Sequence, residues 1–446
     1  MSAHRSAHDQ PLILDDLAAS PTPYHAVARA SELLAANGFA RTEFGDDWSH
    51  HAGGQLLYAS LGGALVAWRQ PAATVPFVVA GTHTDSPNLR VRTQPDQAAP
   101  GFELLGFEVY GGVLLNSWLD RDLSLAGRVV ARNPNSASAA GGATVEHLVD
   151  LAEPILRIPQ LAIHLDRSIR ENGLKVDPQL HTSALWAIGS GEPSPGALRT
   201  HIARHLEIDP NLILSWDLMT YDTQPPALVG RDGDMFASGR IDNLVSTFAA
   251  IRALIDVTAD RSASEAITPV VVLYDHEEIG SSSATGAAGQ LFVSTLERIS
   301  AAAGVERHAH LANLTQSLVL SVDGAHATHP NYVDRHEPNH MITINGGLVI
   351  KRNANQRYAT DAHSEAALVA MCQDADIPLQ YYIHRNDIPC GSTIGPITAA
   401  QLGTPTVDLG IPQLAMHSAR EMAGVTDLGY LQGALRAVWR GHYTAS

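Results

Sequence analysis

In Phe77-Val78-Val79-Ala80-Gly81-Thr82-His83-Thr84-Asp85 a short apolar strand, Phe77–Ala80, runs straight into an imidazole and a carboxylate. The same transition recurs along the chain. Thr268–Tyr274, an unbroken run rich in β-branched residues, leads to Asp275-His276-Glu277-Glu278. Ser317–Val322 leads to Asp323, and Thr406–Leu409 leads through Gly410-Ile411-Pro412 to His417. Unbroken apolar runs of this length are those of strands buried on both faces. Asp242 comes instead in Gly239-Arg240-Ile241-Asp242-Asn243, where the helical run Leu244–Val257 opens. With helical stretches at Ser364–Ala375 and Asp427–Arg440, the alternation predicts an α/β fold, a mixed sheet sandwiched by helices. Ligands gather beyond the carboxyl ends of the strands in such sheets. Acids and imidazoles at four such ends therefore predict one site.

Outside these strands the texture differs. Residues 21–37 read as an opening helix, with Pro23 in its first turn and Gly38 as a left-handed stop. Leu56–Leu61 and Ala64–Arg69 flank Gly62-Gly63 as a hairpin. From 92 to 230 there are β-like pieces such as Phe107–Leu115 and Gly127–Ala131, an Asn/Ser/Ala/Gly-rich loop at 133–143 and a Pro-rich patch at 191–195. This is expected to be a mostly-β insertion, leaving 1–91 and 231–446 as a discontinuous catalytic domain.

Composition narrows the class. Of the 446 residues 45% are hydrophobic and 17% charged, which describes a globular chain. A net charge of −17 disfavours nucleic acid and anionic membrane as partners. No run reaches the ~18 apolar residues of a membrane span, and the polar start does not resemble a secretory signal. Two cysteines, Cys372 and Cys390, supply neither a disulfide framework nor a thiolate cluster. A cytoplasmic location is expected. His4, His8, His50 and His51 sit in polar segments and are expected to be solvated.

Two imidazoles and several carboxylates without thiolate suit zinc, cobalt or manganese. Five ligating groups exceed what one catalytic zinc uses, but they suffice for two ions sharing one carboxylate. Two ions ~3.5–4 Å apart activate a water and hold the oxygens of a tetrahedral intermediate. One further carboxylate must move the proton, and the neighbours Glu277 and Glu278 can supply one ligand and one base. The spacing of His83 and Asp85 suggests that Asp85 orients His83. Singly these residues have plainer uses; Asp242, for instance, would serve as a helix cap. Gly280-Ser281-Ser282-Ser283-Ala284-Thr285-Gly286 lacks the Gly-Lys-Ser/Thr of a phosphate loop, which removes nucleotide binding.

The strings His83-Thr84-Asp85-Ser86-Pro87, Arg240-Ile241-Asp242-Asn243-Leu244 and Asp275-His276-Glu277-Glu278-Ile279-Gly280-Ser281 resemble the aspartyl aminopeptidase family, peptidase family M18. So do Ala325-His326-Ala327-Thr328-His329-Pro330-Asn331-Tyr332, Asn355-Gln356-Arg357-Tyr358-Ala359, Pro389-Cys390-Gly391-Ser392-Thr393-Ile394-Gly395-Pro396 and Pro412-Gln413-Leu414-Ala415-Met416-His417-Ser418. In family order they cover essentially the whole chain. The resemblance implies that Asp242 bridges two ions, with His83 and Asp323 on one and Glu278 and His417 on the other. It implies Glu277 as general base and an N-terminal Asp or Glu as substrate residue, read by Lys351 in a pocket lined by His326 and Tyr358. It further implies that His164 reaches a neighbouring subunit's site, that 92–230 is a dimerisation domain, and that dimers build a homododecamer. The competing expectations are a deacylase or carboxypeptidase on the same scaffold, an aminopeptidase of broader neutral specificity, and a non-catalytic assembly protein that keeps the fold.

Overall fold

The computed structural model describes residues 9–133, 144–259 and 266–441, so that His4, His8 and nearly all of the 133–143 loop lie outside the described residues. The chain divides into two compact units. The first holds residues up to Asp85, Pro226–Met416 and Glu421 onward; the second holds Ser86–Pro225 and His417–Arg420. These divisions fall a few residues before the expected cuts at 91/92 and 230/231.

The first unit is built on a nine-stranded mixed sheet. Its centre is four parallel neighbours, in the order Thr268–Tyr274, Phe77–His83, Leu318–Val322 and Thr406–Gly410. Every residue of these four strands is buried. Burial on both faces explains why the runs are largely apolar, their few polar side chains, such as Ser321 and Asp408, being buried too. Val271 and Leu273 pack with Leu244, Phe248 and Leu435 of the helices Ile241–Ala259 and Val425–Arg440. Val270, Val272 and Tyr274 point the other way and pack with Phe292 and Leu296 of Leu291–Ala302 and with Ile394 of Ile394–Leu402. Polar outward positions therefore do not exist in these strands. The hairpin Leu56–Leu61 and Ala64–Arg69 extends the sheet antiparallel on one side, and Leu348–Arg352 with Leu379–Ile383 on the other.

The opening helix runs Pro23–Ala36, with the Thr22 side chain accepting from the His25 N–H and Gly38 at φ +86°. A further helix, Asp9–Ala18, precedes it without having been expected. A five-stranded sheet of short pieces was also unforeseen: Ala227–Val229, Met235–Ser238, Glu421–Gly424, Pro412–Leu414 and Ala325–His326. His51 corrects its expectation: it is buried beside Trp48, because the loop after Arg41 folds over Trp48 and Trp68.

The second unit carries a six-stranded sheet, all antiparallel, ordered Thr144–Asp150, Leu123–Arg132, Ile213–Asp222, Asn88–Ala99, Phe102–Tyr110 and Ala184–Ile188. It is mostly β, with the helices Ile169–Asn172 and Ala197–His205. The strand expected at Phe107–Leu115 runs Phe102–Tyr110 instead, because Gly111 at φ +74° turns the chain. Among the described residues no helix is long and apolar enough to cross a membrane.

Candidate metal centre

His83 is the last residue of the central strand Phe77–His83 and is buried. Its Nδ1 lies 3.0 Å from the Asp85 main-chain carbonyl oxygen, which only accepts, so Nδ1 carries the proton. That bond points Nε2 at carboxylates: Asp242 Oδ1 at 3.2 Å, Asp323 Oδ1 at 3.5 Å and Glu277 Oε2 at 4.0 Å. The Asp85 carboxylate is itself 3.4 Å from Nδ1. It also accepts the main-chain N–H groups of Glu277 and Glu278, each at 3.1 Å. Asp85 thus joins the end of one parallel strand to the turn that follows its neighbour. In that turn His276 takes φ +65°, which swings the chain out of Thr268–Tyr274 and presents the two glutamates.

Asp242 and Asn243 depart from helical geometry at the mouth of Ile241–Ala259. Two bonds hold this kink. The Asp242 N–H donates to Glu421 Oε2 at 3.1 Å, and Asn243 Nδ2 donates to the Val322 carbonyl at 2.8 Å. Glu421 is a buried acid that sequence reasoning missed. Its only signal is an acid inside Arg420-Glu421-Met422-Ala423, too short a stretch to show a strand.

Asp323 follows Leu318–Val322 directly. Its N–H donates to the Leu409 carbonyl at 2.9 Å, and its Oδ1 is buried with no hydrogen bond. A Cβ on Gly410 would stand 1.8 Å from the Asp323 carbonyl oxygen, so this close approach of neighbouring strands requires glycine.

Crowding governs the electrostatics. Burial pushes the Glu277 carboxyl up to about 8 against the opposing pull of His83, with Asp323, Asp85 and Asp242 adding to the rise. Burial also raises Glu278 well above the carboxylate range, helped by Asp242 and Glu277. Burial disfavours a charge on His83, yet Asp242, Asp323 and Asp85 more than reverse that and lift it well above its ordinary value. So many carboxylates cannot all ionise out of water unless cations join them. Donor atoms of His83, Asp242 and Asp323 lie within 4.8 Å of one another, as do those of His83, Glu277 and Glu278. Such nitrogen and oxygen donors without thiolate fit zinc.

The other expected residues stand as follows. Lys351, in Leu348–Arg352, is buried, and its ammonium donates to the Asp323 and Gly324 carbonyls and to Asp323 Oδ2. The Tyr358 ring centroid lies 5.3 Å from Lys351 Nζ, and the His326 ring packs edge-on to Tyr382. His417, at φ +67°, opens the short segment counted with the second unit, where its Nδ1 is 3.1 Å from the Gly112 carbonyl. His164 is exposed on the second unit.

Comparison with known proteins points the same way. The family model described as aminopeptidase I zinc metalloprotease (M18) matches residues 17–439. A probable M18 family aminopeptidase 2 of Streptomyces coelicolor is 46% identical over 424 residues, 94% of this chain and 95% of that one. A chain from the cryo-EM structure of the Ape4 and Nbr1 complex superposes with a TM-score of 0.90 at 34% identity, covering 99% of this chain and 88% of that one. The mApe1 dodecamer of S. cerevisiae gives 0.82 at 26%, with 98% of each chain covered. A matching family model over nearly the whole length, joined to the carboxylate-and-imidazole cluster at the strand ends, makes this chain a member of the M18 family of zinc metalloaminopeptidases.

Proposed function

We propose that this protein is a two-ion aminopeptidase that removes single N-terminal residues from peptides and prefers Asp and Glu. The observation that carries the reading is the cluster of His83, Asp323, Glu277 and Glu278 beyond the carboxyl ends of parallel strands, joined by Asp242 at the mouth of the helix Ile241–Ala259. Asp242 would be the carboxylate common to both ions, with His83 and Asp323 completing one set of ligands and Glu278 and His417 the other. When bound, the ions supply Lewis acidity toward water and the scissile carbonyl.

Glu277 takes a proton from the attacking water and returns it to the departing amine. Asp85 holds both glutamate N–H groups and flanks His83, which keeps the base and the ligands in fixed relation. The preference for acidic residues is supported by the buried Lys351 beside Tyr358, whose neighbour Tyr382 packs against His326. A homododecamer built from dimers is part of the reading, in keeping with the mApe1 dodecamer. Residues 92–230 serve as its dimerisation domain, and exposed Leu161, Ile163 and Leu165 flank His164 there as a surface for a second copy.

The test is a panel of peptides beginning with Asp, Glu, Ala, Leu and acetyl-Asp, assayed after chelation and after adding zinc or cobalt. Zinc-dependent release of Asp and Glu alone meets the whole reading. Equal release of Leu removes the acidic preference, and cleavage confined to acetyl-Asp makes the protein a deacylase.

A further inference from the structure

An ammonium has three protons, and Lys351 has three acceptors. Nζ lies 3.1 Å from the Asp323 carbonyl oxygen, 3.2 Å from Asp323 Oδ2 and 3.1 Å from the Gly324 carbonyl oxygen. The side chain is 2% exposed and packs by Tyr358. Two of its three bonds therefore grip one residue, by main chain and side chain together.

We infer that Lys351 is a positioning residue for Asp323, which it holds in the orientation that offers one carboxylate oxygen to a metal ion. The inference rests on the two-ion reading, in which Asp323 is a ligand. Engaging Oδ2 leaves Oδ1 as the oxygen turned toward His83 Nε2, and Oδ1 is the one that takes no hydrogen bond. The neighbouring strand fixes the same residue from its other side, because the Asp323 N–H donates to Leu409 and its carbonyl passes over Gly410. Rotation of the carboxylate would leave the buried ammonium with two carbonyl acceptors but no counter-charge, so the grip is expensive to release. The charge of Lys351 still favours acidic side chains in the pocket, but no proton of its ammonium is left to donate to one. A substrate-reading lysine affects acidic substrates alone; a ligand-positioning lysine affects zinc and every substrate.

The experiment is equilibrium zinc titration of the metal-free full-length protein against a competing chelator, run alongside kcat and KM for Asp- and Leu-terminated peptides. Lys351→Met is expected to weaken one class of zinc site by about 10–100-fold, the usual effect of removing a partner that orients a ligand. It should lower kcat on both peptides by a common factor. Lys351→Ala is expected to regain zinc affinity when ethylammonium is added, a rescue that a purely structural defect would not show. Wild-type zinc binding in Lys351→Met, with loss confined to Asp peptides, overturns the inference. Should Lys351→Met fail to fold, Lys351→Gln, close in length and still a donor, decides by the same titration. Absence of zinc binding in the unaltered protein would instead remove the two-ion reading itself.

Discussion

A single methyl group decides the geometry at Gly410, where a Cβ would reach 1.8 Å from the Asp323 carbonyl oxygen. Gly410→Ala must push Asp323 away from the strand that holds its N–H. It is expected to weaken zinc binding about tenfold or more, as measured by chelator competition, since the ligand itself moves. On the two-ion reading, Glu277→Gln separates base from ligand. It is expected to keep zinc while turnover falls by about 10²–10⁴-fold, the range for a lost general base, checked by metal content and kcat on the same sample. Asp242→Asn is expected to lose zinc as well as turnover. The sequence made Glu277 and Asp323 visible because each follows an apolar run, and Asp242 because it opens a helical one. It could not show that Asp85 serves the glutamate N–H groups as well as His83, because that contact exists only once two parallel strands are neighbours.

At the scale of elements, the helix Ile241–Ala259 presents Asp242, and a buried carboxylate holds it in place. Asp16, in Asp9–Ala18, accepts from Arg252 Nε at 2.7 Å and from Arg29 Nε at 3.0 Å, tying three helices together. Asp16→Ala takes from Arg252 the buried anion that it shares with Arg29, which keeps Glu32, and is expected to cost about 3 kcal/mol, read by denaturant unfolding. Asp427 works differently. In the first turn of Val425–Arg440 it accepts the N–H groups of Asn345 and Gly347, yet burial pushes it up to about 7 from an ordinary value of 3.8. The folded protein therefore binds a proton here that the unfolded chain releases between about pH 4 and pH 7. Stability drawn from this group is full below that window and declines as pH rises through it. Asp427→Asn is expected to flatten the pH dependence of the melting temperature over the same range. The long strands and the hairpin were legible from composition and turn residues. The five-stranded sheet was not, since pieces of two to four residues carry no periodicity, and with it Glu421 stayed hidden.

At the scale of the molecule, the proposed second copy would cover the exposed apolar residues around His164. Leu161 is 64% exposed and Leu165 74%, values that water tolerates poorly in a cluster. Leu165→Asp is expected to shift the protein to smaller species in light scattering and to lower activity in proportion. The parallel centre of the sheet also sets an order in time. His83 and Asp323 belong to adjacent strands, yet the whole of 86–225 and the helix bearing Asp242 lie between them in the chain. Pairings so distant in sequence form slowly and late. A growing polypeptide that has already made His83, Asp242, Glu277 and Glu278 still lacks Leu318–Val322 and Thr406–Gly410, and so has no finished place for zinc. On the two-ion reading, the residues that would hold zinc come together only once these last strands have been made.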